Sequence, residues 1–275
     1  MNVSIHELIA ERIDAMPAGE CRAAQTLIAN YPLIGLKTVA EFSLAAGVSS
    51  PTILRFVSRL GFQNYHDFQT CLQEELAAQI QSPASRTYSP SSHPDGTLSQ
   101  MLDATLENLH ETFRHISQRQ LTEIAGKMAD PRGQLLLMGG RFTDPLARYM
   151  ATHLTIIRPN VSHLGGQEST WRDRLIDMGK RDVLMIFDIR RYQDSLLHFA
   201  EKAHQRGVHI ILITDQWLSP IARFARHVIA GRTAVPSAWD STASLFVVAE
   251  TLISAVTTHL EAESEERIRA IENLR

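Results

Sequence analysis

Cysteine is nearly absent from these 275 residues: only Cys21 and Cys71 occur. They stand far apart with no C-x-x-C spacing, so neither a disulfide framework nor a thiolate metal site is expected. Aromatic residues make up 7% of the chain and apolar residues 44%, which suffices for one large core or two modest ones. No apolar run approaches the roughly 18 residues of a membrane span, and the first residues lack a basic start followed by an apolar stretch. A cytoplasmic protein with no membrane partner, no metal and no cofactor is therefore expected. Positive charge is also not in excess, since 27 Lys and Arg against 30 Asp and Glu give a net charge of −3. Within residues 1–80 the five cations Arg12, Arg22, Lys37, Arg55 and Arg59 face eight carboxylates. Any nucleic-acid contact there has to come from a few cations on one face, doubled by oligomerisation.

What the chain does have is a pair of short helices at residues 38–61, TVAEFSLAAGVSSPTILRFVSRLG. Thr38 followed by Glu41 has the form of a capping box, and Val39, Ala40, Phe42, Ala45 and Ala46 give the first helix an apolar side. Gly47 suits a left-handed helix end, and Ser49 or Ser50 can cap the next helix. Pro51 fits its first turn, where no intrahelical N–H bond is lost. Ile53, Leu54, Phe56, Val57 and Leu60 supply its buried stripe. The polar remainder can meet base edges and phosphates, the division of labour of a recognition helix. Thr38, Ser49, Ser50, Thr52, Arg55, Ser58 and Arg59 are the candidate DNA contacts. An ordinary helical hairpin would show the same stripe.

Helical spacing also marks residues 5–16, 20–30 and 65–81, so an all-α unit of about five helices is expected over residues 1–81. Residues 82–97, SPASRTYSPSSHPDGT, have no periodicity and read as a linker. Residues 98–275 change character. A long amphipathic stretch at 98–128 precedes strand candidates at 134–138, 161–164, 182–187, 209–214 and 227–230. Helical candidates at 144–155, 193–206, 220–225 and 241–263 complete an α/β domain with a five-stranded parallel sheet flanked by helices.

In such sheets ligands bind beyond the carboxyl ends of the strands. Gly139, Gly140, Arg141, Phe142 and Thr143 follow the first strand and lead into a helix, an arrangement that favours an anion. Asp188, Ile189, Arg190, Arg191, Tyr192 and Gln193 follow the third strand, where adjacent arginines could grip a carboxylate or phosphate. Alternatively one arginine pairs with Asp188 or Asp194 and the other is solvated. A third loop carries Ser237 near the start of the last long helix. Gly140, Arg141, Thr143, Asp188, Arg190, Arg191 and Ser237 are the candidate effector-binding residues.

The order of helix-turn-helix, linker and α/β domain resembles the RpiR/MurR family of bacterial transcriptional regulators over nearly the whole chain. Val39, Glu41, Ala46, Gly47, Val48, Ser49, Thr52, Arg55, Phe56, Leu60, Gly61, Phe62, Tyr65 and Phe68 fall on that family's N-terminal signature. Gly207, Ile211, Thr214, Asp215, Ser219, Pro220 and Ala222 fall on a stretch of its sugar isomerase (SIS) domain. The resemblance implies a homodimer or homotetramer that binds double-stranded operator DNA and senses a phosphosugar. It implies a repressor of a catabolic operon rather than an enzyme. Two loops depart from the pattern: G-x-G-x-S is replaced by Gly139-Gly140-Arg141-Phe142-Thr143, and S-x-S-G-x-T by Asp188-Ile189-Arg190-Arg191-Tyr192-Gln193. The expected effector is accordingly a small anionic metabolite, either a sugar phosphate or a carboxylate. Two alternatives stand beside this reading. One is a sugar-phosphate isomerase using Glu168, His163 or Glu250 as acid and base. The other is a regulator whose SIS-like domain serves only as an oligomerisation scaffold.

Overall fold

A computed structural model describes residues 4–80 and 96–274. Residues 82–95 of the expected linker lie outside the described residues. The chain begins with α1 (Ile5–Arg12), where Ser4 and Glu7 form a capping box, and a single 3₁₀ turn at Ile13–Ala15. It continues with α2 (Ala18–Ala29), α3 (Val39–Ala46), α4 (Ser50–Arg59) and α5 (Tyr65–Ile80). Ile5, Ile9, Leu27, Phe42, Ile53, Phe56, Phe68 and Leu72 meet in one core, so each helix buries one stripe against the others.

The second unit runs through α6 (Gly96–Arg114), α7 (Gln118–Ala129), β1 (Leu135–Gly139), α8 (Asp144–Ile157), β2 (Val161–His163) and α9 (Glu168–Ile176). Then come β3 (Val183–Asp188), α10 (Asp194–Gln205), β4 (His209–Asp215), β5 (His227–Gly231), α11 (Ala243–His259) and α12 (Glu261–Glu272). All neighbouring strands pair in parallel, in the order β2-β1-β3-β4-β5. Alternate residues point to opposite faces of a strand, and here both faces are covered. Leu135, Leu137, Met185, Phe187, Ile211 and Ile213 pack towards α7, α8 and α11. Leu136, Met138, Leu184, Ile186, Ile210 and Leu212 pack towards α9 and α10. Each central strand therefore reads as an unbroken apolar run.

Several expectations are corrected. Leu54 is 47% exposed rather than part of the α4 stripe, because it sits about 100° around the helix from Ile53. Ala40 and Ala45 are exposed while Ser43 is buried. The stretch 98–128 is two helices, broken where the Ser117 hydroxyl caps α7 by accepting from Gln120 N at 3.1 Å. Residues 220–225 make only a 3₁₀ turn, Pro220–Arg223. The helix expected at 241–263 stops at His259, and α12 follows. Helix α9 was not anticipated; it is strongly polar and buries only Trp171 and Leu175.

Candidate functional site

The α3–α4 pair has the geometry that its sequence demands. Thr38 caps α3, its hydroxyl accepting from Glu41 N at 3.2 Å while the Glu41 carboxylate accepts from Thr38 N at 3.0 Å. The Thr38 hydroxyl also donates to that carboxylate at 2.6 Å, and this bond together with the one from Thr38 N favours the ionised form and lowers the Glu41 pKa. Gly47 takes φ of 60°, which ends α3 in the left-handed region and lets the chain turn into α4. Pro51, Leu54, Arg55 and Ser58 form the outward face of α4. Ser49 lies at the N-cap and pairs with Thr52 hydroxyl to hydroxyl at 2.9 Å, while Ser50 faces Ser43 at 3.3 Å. Arg55 is exposed and, among the described residues, hydrogen-bonds only to its neighbour Thr52, so its guanidinium is presented outward.

Arg59 differs from Arg55. It forms an ion pair with Glu20 of α2, whose carboxylate is 4% exposed. Arg59 thus ties α4 to α2, and Arg12 in turn donates to the Arg59 carbonyl.

The second site lies where the strand order reverses between β1 and β3, the position at which loops diverge and leave a crevice in an open parallel sheet. A pocket of about 280 Å³ there is lined by residues 140–143 and 188–193. Its size suits a small metabolite. The structure therefore brings together Gly140, Arg141, Thr143, Asp188, Arg190 and Arg191. Ser237 is not among the lining residues; its hydroxyl accepts from Trp239 N at 3.2 Å. Gly139 is required by packing, because a Cβ there would fall 2.5 Å from Asp144 N. Gly140 has no such clash and faces the pocket.

The polar groups of the pocket are largely committed to one another. Thr143 Oγ1 donates to the Phe187 carbonyl at 2.6 Å and accepts from Gly140 N at 2.9 Å, which ties the β1 loop to the end of β3. Asp215, fully enclosed at the end of β4, accepts from Arg190 N at 2.6 Å, Tyr192 OH at 2.8 Å and Trp217 N at 3.1 Å. Burial pushes its pKa up to about 6 against the opposing effect of those bonds. Asp188 accepts from Ser219 Oγ at 2.5 Å and, weakly, from Gln193 N at 3.4 Å. Burial raises it to about 7, with Asp215 adding to the effect.

Among the described residues, neither Asp188 nor Asp194 holds an arginine. Arg190 instead makes a two-pronged pair with Asp240, stacks 4.1 Å over the Trp217 ring and donates to the Ala78 carbonyl of α5 at 2.9 Å. Arg141 and Arg191 are exposed at the mouth. Beside them stand Phe142 and Trp239, whose rings meet edge-on with centroids 5.8 Å apart. Asp215, Trp217, Ser219, Trp239 and Asp240 were missing from the candidate residues. The Thr-Asp pair at the end of β4 was a usable signal for Asp215, whereas nothing local points to Asp240.

The acid and base candidates do not converge. His163 Nε2 lies 2.7 Å from Asp144 Oδ1, Glu168 accepts from Gln193 and Ser195, and Glu250 accepts from Tyr149 OH at 3.2 Å. None of the three lines the pocket. Among the described residues, no group of three His, Cys, Asp or Glu side chains is placed to hold a metal ion. No single helix is long and apolar enough to cross a membrane.

Comparison with known proteins agrees with both halves. Residues 3–79 match the helix-turn-helix domain of the rpiR family, and residues 127–255 match the SIS domain. An uncharacterized HTH-type transcriptional regulator of Haemophilus influenzae is 22% identical over 248 residues, covering 87% of this chain and 85% of that one. The sugar isomerase domain of an RpiR transcription factor from Sphaerobacter thermophilus superimposes with a TM-score of 0.58 at 21% identity, over 64% of this chain and 98% of that one. The Vibrio vulnificus NanR protein, solved with ManNAc-6P, gives a TM-score of 0.56 at 13% identity over 98% of this chain and 97% of its own.

Proposed function

This chain belongs to the RpiR family of transcriptional regulators, a helix-turn-helix unit joined to a SIS domain, and from that membership we propose that a small anionic metabolite controls its hold on operator DNA. One observation carries the reading: the loops after β1 and β3 converge on a single pocket, and one of them reaches the DNA-binding unit through Arg190. An effector that rearranges residues 188–193 would then shift the balance between conformations of the helix-turn-helix unit. The NanR relative of similar fold holds a sugar phosphate, which supports a carbohydrate derivative as the effector.

The protein acts as a repressor of a catabolic operon in the cytoplasm. It works as a homo-oligomer, because one α4 carries too few cations to bind DNA tightly and two half-sites double them. The exposed apolar residues Leu98, Met101, Leu102 and Leu106 on one side of α6 support self-association. Regulation rather than catalysis is the reading favoured, since His163, Glu168 and Glu250 lie outside the pocket and the relatives are HTH-type transcriptional regulators.

The test is to select DNA from a random pool with the full chain and then titrate metabolites into the complex. Enrichment of a two-fold-related site, released by an anionic carbohydrate derivative, is the expected outcome. Failure to enrich any sequence would refute operator binding. Metabolite turnover would restore the enzyme reading.

A further inference from the structure

The pocket differs from a phosphate cradle in which of its donors remain free. A phosphate dianion is held by several short donors, usually hydroxyls and backbone N–H groups at a helix start. Here the Thr143 hydroxyl donates to Phe187 O, the Tyr192 hydroxyl to Asp215 and the Ser219 hydroxyl to Asp188. At the start of α8 the Gly140 N–H is taken up by Phe187 O and Thr143 Oγ1, and the Thr143 and Asp144 N–H groups by Gly140 O. Arg190 is committed to Asp240 and Ala78.

Among the side chains that line the pocket two kinds of group remain, beside the N–H groups of Arg141, Phe142, Arg191 and Tyr192. Arg141 and Arg191 at the mouth have no ion pair among the described residues, and they can grip a planar anion side-on. Inside, among the described residues, Asp188 Oδ1 accepts only the 3.4 Å contact from Gln193 N, and it lies 3.6 Å from where a Gly140 Cβ would be. It is an acceptor without a short partner, facing the pocket. A second carboxylate, Asp215, lies behind the same loop. Asp188, which burial raises to about 7, accepts from a hydroxyl or ammonium group, and its ionised form repels a dianion.

We infer that the effector is a singly charged hydroxy- or amino-carboxylate derived from a carbohydrate, its carboxylate held by Arg141 and Arg191 and a hydroxyl or amine donating to Asp188. The inference rests on the reading of this pocket as the effector site. The carbon skeleton then lies against Phe142, with Trp239 at the lip. Asp188 stands where the family pattern has a serine, so this one residue sets the class of anion admitted.

The test uses the full chain and follows melting temperature and tryptophan fluorescence, since Trp239 is 57% exposed at the pocket mouth. The probes are matched pairs: gluconate with glucose 6-phosphate, glucosaminate with glucosamine 6-phosphate, and galactonate with galactose 6-phosphate. A carboxylate should raise the melting temperature by about 4 °C at saturation, and its phosphate partner should leave it unchanged. Arg141→Ala with Arg191→Ala should abolish the rise. Asp188→Ser should admit phosphates. Asp188→Asn, which keeps the shape and removes the charge, should do so in part, and the melting temperatures of both variants without ligand verify that they fold. A phosphate that stabilises the wild type more than its matched carboxylate overturns the inference while upholding the effector site. If no probe shifts either the wild type or a folded Asp188 variant, the effector site itself is refuted.

Discussion

Arg190 belongs to the pocket loop, yet its Nη1 donates at 2.9 Å to the main-chain carbonyl of Ala78, near the end of the last helix of the DNA-binding unit. The same guanidinium is gripped by Asp240 and stacked on Trp217, so a movement of residues 188–193 cannot leave the end of α5 unaffected. A second bridge runs from Arg232, beyond β5, to Glu7 of α1 at 2.6 Å, and both partners are 7% exposed. The first and last helices of the helix-turn-helix unit are thus each held by an arginine of the SIS domain.

Removing Arg190 should therefore act in two places. Arg190→Ala removes a two-pronged cation from a largely buried Asp240 and should reduce unfolding free energy by about 1.5–3 kcal/mol, the worth of hydrogen bonds to a charged group. Hydrogen exchange should quicken selectively in the last turn of α5. Arg190→Lys keeps the charge but not the fork, and should recover only part of the loss. Unchanged exchange in α5 would mean that the contact with Ala78 transmits nothing.

The two arginines of α4 should separate cleanly. Arg55→Ala should weaken binding to the selected operator by about 1–3 kcal/mol at constant stability, because among the described residues Arg55 bonds only within its own helix. Arg59→Ala should instead lower the denaturation midpoint, since Glu20 loses its cation in a nearly closed environment. Urea titration and DNA binding measured on both variants check the assignment. The reverse pattern would exchange their roles.

The legible parts of the chain were those governed by neighbours in sequence. Thr38, Glu41 and Gly47 announce the ends of α3 because capping and positive φ are local requirements. Strands β1, β3 and β4 announce themselves because both faces are covered. Helix α9 was hidden, as a polar helix with two buried residues carries almost no periodic signal. The two loops that line the pocket were found from topology, but the partner of Arg190 was not. Asp240 lies fifty residues away in an irregular loop, and only the packed fold brings the two together.

Leu54 was misread for a related reason, and its true position carries a consequence. An exposed leucine between Pro51, Arg55 and Ser58 places an apolar group at the centre of the face proposed to enter the major groove. The thymine methyl is the apolar feature of that groove. Replacing thymine by uracil at one operator position should therefore cost the wild type about 0.5–1 kcal/mol, the worth of a buried methyl group. Leu54→Ala should be insensitive to the same change. Equal losses in both proteins would assign the methyl contact to another residue.

Stability should depend on pH through Glu75, which sits between the two domains. It accepts from Ile5 N at 2.8 Å and from Tyr31 OH, with Glu7 and Arg232 nearby. Burial raises its pKa from 4.5 to about 7 despite those bonds. The folded state then holds a proton that the unfolded state has lost, so the contribution is complete below about pH 4.5 and disappears as pH rises through 7. His6 and His209 act in the opposite sense, because burial lowers both to about 4 and the fold loses stability as pH falls below 6.5. The overall profile mixes these signs, and a difference between variants isolates one of them. Glu75→Gln keeps an acceptor for Ile5 and cannot ionise. Its stability relative to wild type should rise by about 2–3 kcal/mol between pH 4.5 and pH 8, as read from urea denaturation. A flat difference would mean that Glu75 is ionised throughout, with Arg232 as its compensating charge.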